Sequence, residues 1–426
     1  MEELWFGQPS AGRYASCSPQ TILESGDRAW ERALHRRGWA ALCSTGLPGS
    51  ISIYAPSPVS LPVACAEPST SSPSSKLQLA RELRPLLPAE AFKPDRNQLP
   101  LSAINGAILL LGWQMADRLD QWPTLWLPLW LPLALIMGNS VFVLGLSMHD
   151  LMHGSTVRGQ ERRRLVALLG FSMSWMTPSL WQAVHNREHH QHTNGSTDPD
   201  RAYLEAQPSS WGKRLFQLIA PSLEVSPLGL ALGMSSAWAL HHFRTTCSVL
   251  LFNTGATCFG PAPLRVSERE RRRIALELVA VIGLHAAVVT WLDAQPLKLL
   301  LGYFLPLWCA YAMAMAYIYT NHMLSPLRED NDPLLTSVSL KLPAFLDCLH
   351  GNFSHHSEHH VFPGLNGRYL PLVRQLLQQR HPHRYRLLSG THAWRLLLST
   401  PRFYRDAGTL TDWNGTRTMA VPMLDG

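Results

Sequence analysis

Nineteen of the 426 residues are histidines, and eleven of them fall in three short windows, 149–153, 185–192 and 350–360. The first holds His149-Asp150-Leu151-Met152-His153. The second holds His185-Asn186-Arg187-Glu188-His189-His190, with His192 just beyond, and the third His356-Ser357-Glu358-His359-His360 after His355. Neutral imidazole is the commonest metal ligand among side chains. Residues four apart stack on one helical face, so His149 and His153 can reach one metal, and His185 and His189 likewise share a face. His190 then points about 100° away, enough to serve a second ion. The third window repeats that geometry one residue shorter. Zinc is content with four ligands. Eight or more nitrogens suggest two metals, each with an open position, and iron is the metal whose redox chemistry would use them.

These clusters need elements to carry them to one place. A helix needs about 20 apolar residues to cross a bilayer. Leu101–Ala116, Trp122–Met148, Ile274–Leu292 and Leu297–Tyr319 are such runs, the first reaching that length only by extension upstream. Leu165–Ala183, interrupted by Thr177-Pro178-Ser179, reads as a re-entrant or interfacial helix, and Pro227–Phe252 is of the same ambiguous kind. Arg368–His383 reads as a basic helix on the membrane surface. The turns 117–121 and 293–296 carry no positive excess, whereas 161–164 and 269–273 are rich in arginine. The positive-inside rule puts those basic segments in the cytoplasm. The expectation is an all-α integral membrane protein: two transmembrane hairpins of about four spans, interfacial helices and a cytoplasmic histidine-rich cap, with both termini inside.

Composition agrees. Charged residues make up 16% of the chain, against roughly 25% in a soluble domain. The net charge of +7 sits mainly in short arginine clusters, without a nucleic-acid motif, so no nucleic-acid partner is expected. Seven cysteines, an odd count without a CxxC pair, argue against a disulfide framework and a thiolate metal site. The opening Met-Glu-Glu does not read as a signal peptide. Residues 1–95, with the Ser/Pro-rich stretch Ser57–Ser75, read as a poorly ordered extension, 96–400 as the membrane domain and 401–426 as a C-terminal tail.

The three boxes in order, HDLMHG at 149–154, HNREHHQHTN at 185–194 and HHSEHHVFPG at 355–364, closely resemble those of the membrane fatty acid desaturase family. The resemblance runs from His149 to about Pro363, roughly half the chain. It implies a centre of two iron ions, cycling between Fe2+ and Fe3+ and activating dioxygen at a C–H bond of an acyl chain. It further implies that His149, His153, His185, His189, His190, His356, His359 and His360 are ligands. A ninth ligand in such enzymes comes from the end of the last span, where His322 sits.

Asp150, Glu188 and Glu358 neighbour these histidines and are candidates to hold an imidazole N–H, while Asn194 and Asp198 are candidates to brace the second box. His192, His355, His350, His381 and His383 are left outside the ligand set. The expected function is desaturation of a fatty acyl chain with dioxygen and external electrons. Alternatives with the same centre are hydroxylation, carotenoid oxygenation, or decarboxylation of a fatty acid to a terminal alkene. A metal transporter or haem carrier places histidines inside spans, and here only His285 lies mid-span. No haem or ferredoxin motif appears, so a separate ferredoxin- or cytochrome-type donor with a reductase is expected, beside the bilayer and the acyl substrate.

Overall fold

The computed structural model describes residues 75–95, 97–157, 159–200, 204–205, 215, 218–255 and 264–422; the compact unit that holds them runs from Thr70 to Gly426. All but the last residue of the Ser57–Ser75 stretch lies outside the described residues. Helix α1 (Ser75–Leu83) leads into α2 (Gln98–Ala116) and α3 (Thr124–Met152), and α4 (Gln160–Ser172) and α5 (Pro178–Trp181) follow. Next come α6 (Pro227–Cys247), α7 (Glu268–Trp291) and α8 (Pro296–His322), then α9 (His356–Val361), α10 (Leu370–Arg380) and α11 (Gly390–Ser399). Among the described residues α2, α3, α7 and α8 are the four helices long and apolar enough to cross a membrane. Even the shortest, at 19 residues, reaches about 28 Å. They coincide with the four apolar runs of the sequence, and the protein is an all-α, multi-pass membrane protein.

The helices start where local chemistry starts them. Ser267 and Glu270 form a reciprocal capping box at the head of α7, satisfying amide hydrogens that the helix itself leaves free. Ser226 caps α6, its Oγ accepting from the Gly229 N–H at 3.0 Å. Helix α3 packs tightly on α8 because residue 138 is glycine: a Cβ there would lie 2.6 Å from Cys309 Cβ and 2.7 Å from the Pro306 carbonyl oxygen. The two hairpin turns are tied together by the buried Lys298 ammonium, 3.2 Å from Asp117 and 2.8 Å from Asp293. Leu165–Ala183 forms α4 and α5 around a turn in which Trp175 takes a φ of +59°. Pro227–Phe252 forms α6 and a π-helical turn at Ser248–Phe252. Arg368–His383 contains α10, whose Leu370, Val373 and Leu377 are buried against the protein.

Two boundaries read from the sequence shift. Residues 75–83 form α1 and two 3-10 turns follow at Arg84–Leu86 and Ala89–Phe92, and Leu79 and Leu83 of α1 pack with Val361, Val373 and Leu377. They belong with the body rather than with a poorly ordered extension; a single nine-residue helix is too short for its periodicity to stand out of a polar background. At the other end, β4 (Phe403–Asp406), β5 (Thr409–Thr411) and β6 (Thr418–Ala420) form an antiparallel meander, with β1 (Leu204–Glu205) parallel to β4. Strands β2 (Ser339–Lys341) and β3 (Leu387–Ser389) form a second, parallel pair. Residues 401–422 are thus folded onto the body, with Phe403, Leu410 and Val421 buried. Strands of three or four residues carry too little alternation to be legible.

Candidate metal centre

The second histidine box does not sit on an ordinary α-helix. Residues Gln182–His189 form a π-helix in which the His190 N–H donates to the His185 carbonyl, five residues back. Such wide turns are frequent at functional sites. Helix α3 delivers His149 on its last turn and His153 just past it, α9 carries His356, His359 and His360, and α8 ends on His322.

These nine histidines fall into two adjoining groups. In the first, ring nitrogens of His149, His153, His185, His190 and His359 lie within 4.8 Å of one another; in the second, those of His189, His322 and His360 do. His356 joins the second group, its Nε2 lying 2.7 Å from His322 Nε2 and 3.2 Å from His360 Nε2. The box-one pair lies together, but the other two boxes are divided differently from the sequence expectation. His185 groups with His190 and not with His189, because a π-turn brings i and i+5 to one side. His356 groups with His360, one α-turn on, while His359 turns to the first group.

Hydrogen bonds fix which nitrogen faces inward. His149 Nδ1 donates to Asp150 at 2.9 Å, His185 Nδ1 to Asp200 at 3.0 Å and His189 Nδ1 to Asp198 at 2.9 Å. His322 Nδ1 donates to the Thr336 carbonyl at 3.3 Å. Thr193 Oγ1 gives its one hydrogen to the His189 carbonyl at 2.8 Å, so it accepts from His360 Nδ1 at 3.3 Å. With Nδ1 protonated, a neutral ring turns its Nε2 lone pair inward. His149 and His185 then oppose lone pairs at 3.1 Å, an arrangement that repels unless a cation accepts both. Two nitrogens each about 2.1 Å from one ion and at right angles to each other lie about 3.0 Å apart. The 3.1–3.3 Å separations of the His149–His185, His153–His190 and His190–His359 nitrogens match that geometry. Burial pushes His153, His190, His356, His359 and His360 well below the ordinary imidazole range, and His185 down to about 3, so these rings stay neutral. At His189 burial also disfavours charge, but the Asp198 carboxylate outweighs it and raises the pKa. The donor set fits metal ions.

The surrounding polar residues divide. Asp150 holds His149 and itself accepts from Gln98 Nε2 at 2.9 Å. Asn194, in the left-handed region at φ +58°, donates its N–H to Asp198 at 2.9 Å and its side chain to the His322 carbonyl at 3.2 Å. Glu188 does not hold an imidazole; it pairs with Arg187 at 2.9 Å, since its place on the π-helix turns it outward. Glu358 does not either. Fully buried, it accepts from Arg374 at 2.8 Å, from Tyr385 at 2.5 Å and from Ser339, anchoring the helix that carries box three. His355 bonds to the Asn352 carbonyl, His350 bridges Tyr317 and Asn139, and His381 meets Glu82; His383 is exposed and His192 partly so.

Three participants escaped the sequence reading. Asp200 bridges His185 and His241, the latter at 3.0 Å. Burial opposes its ionisation, but those two hydrogen bonds outweigh it and hold the carboxyl well below its usual range. The Asp198-Pro199-Asp200 tripeptide thus braces one ligand candidate in each group, a signal present in the sequence as two acids at a spacing of two. Lys76 of α1 donates to the His190 carbonyl at 2.9 Å, and Gln98 secures Asp150; neither has a local signal.

An apolar cavity opens beside both groups. Phe142, Leu146, Trp238, Met315 and Ile318 form part of its wall, and His149, His185, His189, His322 and His356 border it. A family model described as fatty acid desaturase matches residues 124–391, well over half of the chain and including all nine histidines. The chain belongs to the fatty acid desaturase family. No curated protein matches it. As a member of that family it is an oxidoreductase that modifies a lipid substrate in a membrane. In this desaturase-family protein, Asp200→Ala is expected to lower metal affinity and turnover about 10- to 100-fold, the usual cost of losing a carboxylate behind a ligand histidine. Metal content and activity both unchanged would show that His185 needs no such brace.

Proposed function

We propose that this protein is a di-iron oxidase that uses dioxygen and external electrons to desaturate a fatty acyl chain. One observation carries the reading: nine imidazoles form two adjoining groups, and five of them, from both groups, border one apolar cavity. The proposed ligands are His149, His153, His185, His190 and His359 to one iron, and His189, His322, His356 and His360 to the other. Two iron ions so held would supply dioxygen activation and the removal of hydrogen from an unactivated methylene. The chain's own residues do the rest. The apolar wall takes an acyl chain and keeps water from the reacting carbons, and its shape fixes which methylene lies beside the histidines. Asp150, Asp198 and Asp200 keep the Nδ1 protons in place, so each ring presents the same nitrogen throughout a cycle. The arginine segments at 161–164 and 269–273 support a cytoplasmic active site and cytoplasmic termini, where a separate ferredoxin- or cytochrome-type donor would deliver electrons.

A second reading with the same centre is favoured by Arg244. It is buried on the cavity wall one helical turn beyond His241, which bonds the carboxylate that braces His185. A guanidinium there suits the carboxylate of a free fatty acid and would set the first carbons of the acid beside the histidines. Oxidation near the carboxyl end follows, including decarboxylation to a terminal alkene. Expression in a lipid-rich host, with mass spectrometry of fatty acids and hydrocarbons and metal analysis of the purified protein, separates the readings. About two irons per chain are expected on the ligand count, with an internal double bond in the acyl chain. A terminal alkene or a hydroxy acid oxidised next to the carboxyl group favours the second reading. A single zinc with no iron taken up under anaerobic reconstitution would overturn both.

A further inference from the structure

A second cleft lies away from the histidines, between the N-terminal parts of α4 and α7. Its upper part is basic. Arg164 is 15% exposed at its side chain, pairs with Glu277 at 3.2 Å and with Glu161, and leaves one terminal guanidinium nitrogen buried with no partner. Arg273 lies 3.4 Å from Glu161. Arg269 and Arg272 are exposed, and neither forms an ion pair among the described residues. Glu277 is further occupied by the Ser179 N–H at 2.8 Å and hydroxyl at 2.7 Å. Four guanidinium groups therefore face two engaged carboxylates.

The lower part of the cleft is apolar. Leu165 is 62% and Leu276 72% exposed, and α7 continues beyond them with exposed Val279. Since α7 is a candidate span that begins at Glu268, a bilayer around it would put its arginines at headgroup level and Leu276 at the start of the hydrocarbon. Basic pockets between helices at this depth suit anionic lipid heads. We propose that this cleft binds an anionic membrane phospholipid, the phosphate on Arg164, Arg269 and Arg272 and an acyl chain along Leu165 and Leu276. A free phosphate would make no use of the leucines. A soluble acidic partner would not reach the apolar half, which faces lipid. The inference rests on the membrane placement of α7 and is independent of what the histidine centre oxidises.

The test titrates short-chain phosphatidylglycerol into the full-length protein in uncharged detergent and follows its melting temperature. Saturating lipid is expected to raise the melting temperature by about 3 °C or more. Phosphatidylcholine, inorganic phosphate and a soluble polyglutamate peptide at the same concentrations are expected to leave it unmoved. The double variant R269Q/R272Q removes only exposed groups, so it should melt like the parent without lipid and bind phosphatidylglycerol about 10- to 30-fold more weakly. R269K/R272K should keep most of the binding. A shift of equal size with phosphatidylcholine, phosphate or the peptide would overturn the proposal, as would phosphatidylglycerol binding that R269Q/R272Q leaves unchanged.

Discussion

His359→Ala is expected to abolish turnover, by at least about 100-fold, exceeding the loss that follows from disturbing a residue behind a ligand. The ring nitrogen of His359 lies 3.3 Å from that of His190, inside the five-histidine group. Its ring sits on α9, outside the candidate spans, so removing it subtracts a metal donor without opening a hole in a span. The variant should therefore insert and purify like the parent while carrying less iron. In the other group the companion substitution is His189→Gln rather than alanine. Asp198 is fully buried against His189, and an alanine would leave that carboxylate without its imidazole, costing several kcal/mol of stability. Iron content, product yield and melting temperature measured on each variant check the assignment. His355→Ala is the matched control: that ring is buried one residue from box three but bonds to the Asn352 carbonyl, and its loss should leave iron and product nearly intact. Activity retained above about a tenth in His359→Ala or His189→Gln would remove that residue from the proposed ligands.

The second large effect is expected at His322, which belongs to none of the three boxes. Substitution by alanine should lower bound iron and product together, with turnover again falling by about 100-fold or more. His322 is buried at the end of α8, its Nδ1 donates to the Thr336 carbonyl, and its Nε2 lies 2.7 Å from that of His356. Asn194, from the loop after box two, holds the His322 backbone carbonyl, so the last span and the second box meet at this residue. A histidine that only sat at the membrane interface would be dispensable; full retention of iron and product in His322→Ala would strike it from the centre and leave the second group with His189, His356 and His360.

The four spans were legible in the sequence because hydropathy over some 20 residues is a local quantity, set by composition and not by neighbours. The three boxes were legible for a related reason: histidine is scarce enough that eleven in three windows stand out without any fold.

Which histidines share a group was decided only by tertiary structure. An ideal α-helix pairs His185 with His189, and a π-turn pairs it with His190 instead; nothing in a single sequence announces the extra residue per turn. Glu188 and Glu358 look equivalent in their boxes, yet one pairs with Arg187 at the surface and the other anchors α9 through residues 339, 374 and 385, brought in from distant segments. Lys76, Gln98 and Asp200 reach the centre through contacts separated by up to 114 positions in the chain. Sequence determines which side chains have suitable chemistry, because that resides in each residue. The fold decides which of them meet, because a hydrogen bond or a shared metal requires approach to about 3 Å, and that distance depends on every element between the partners.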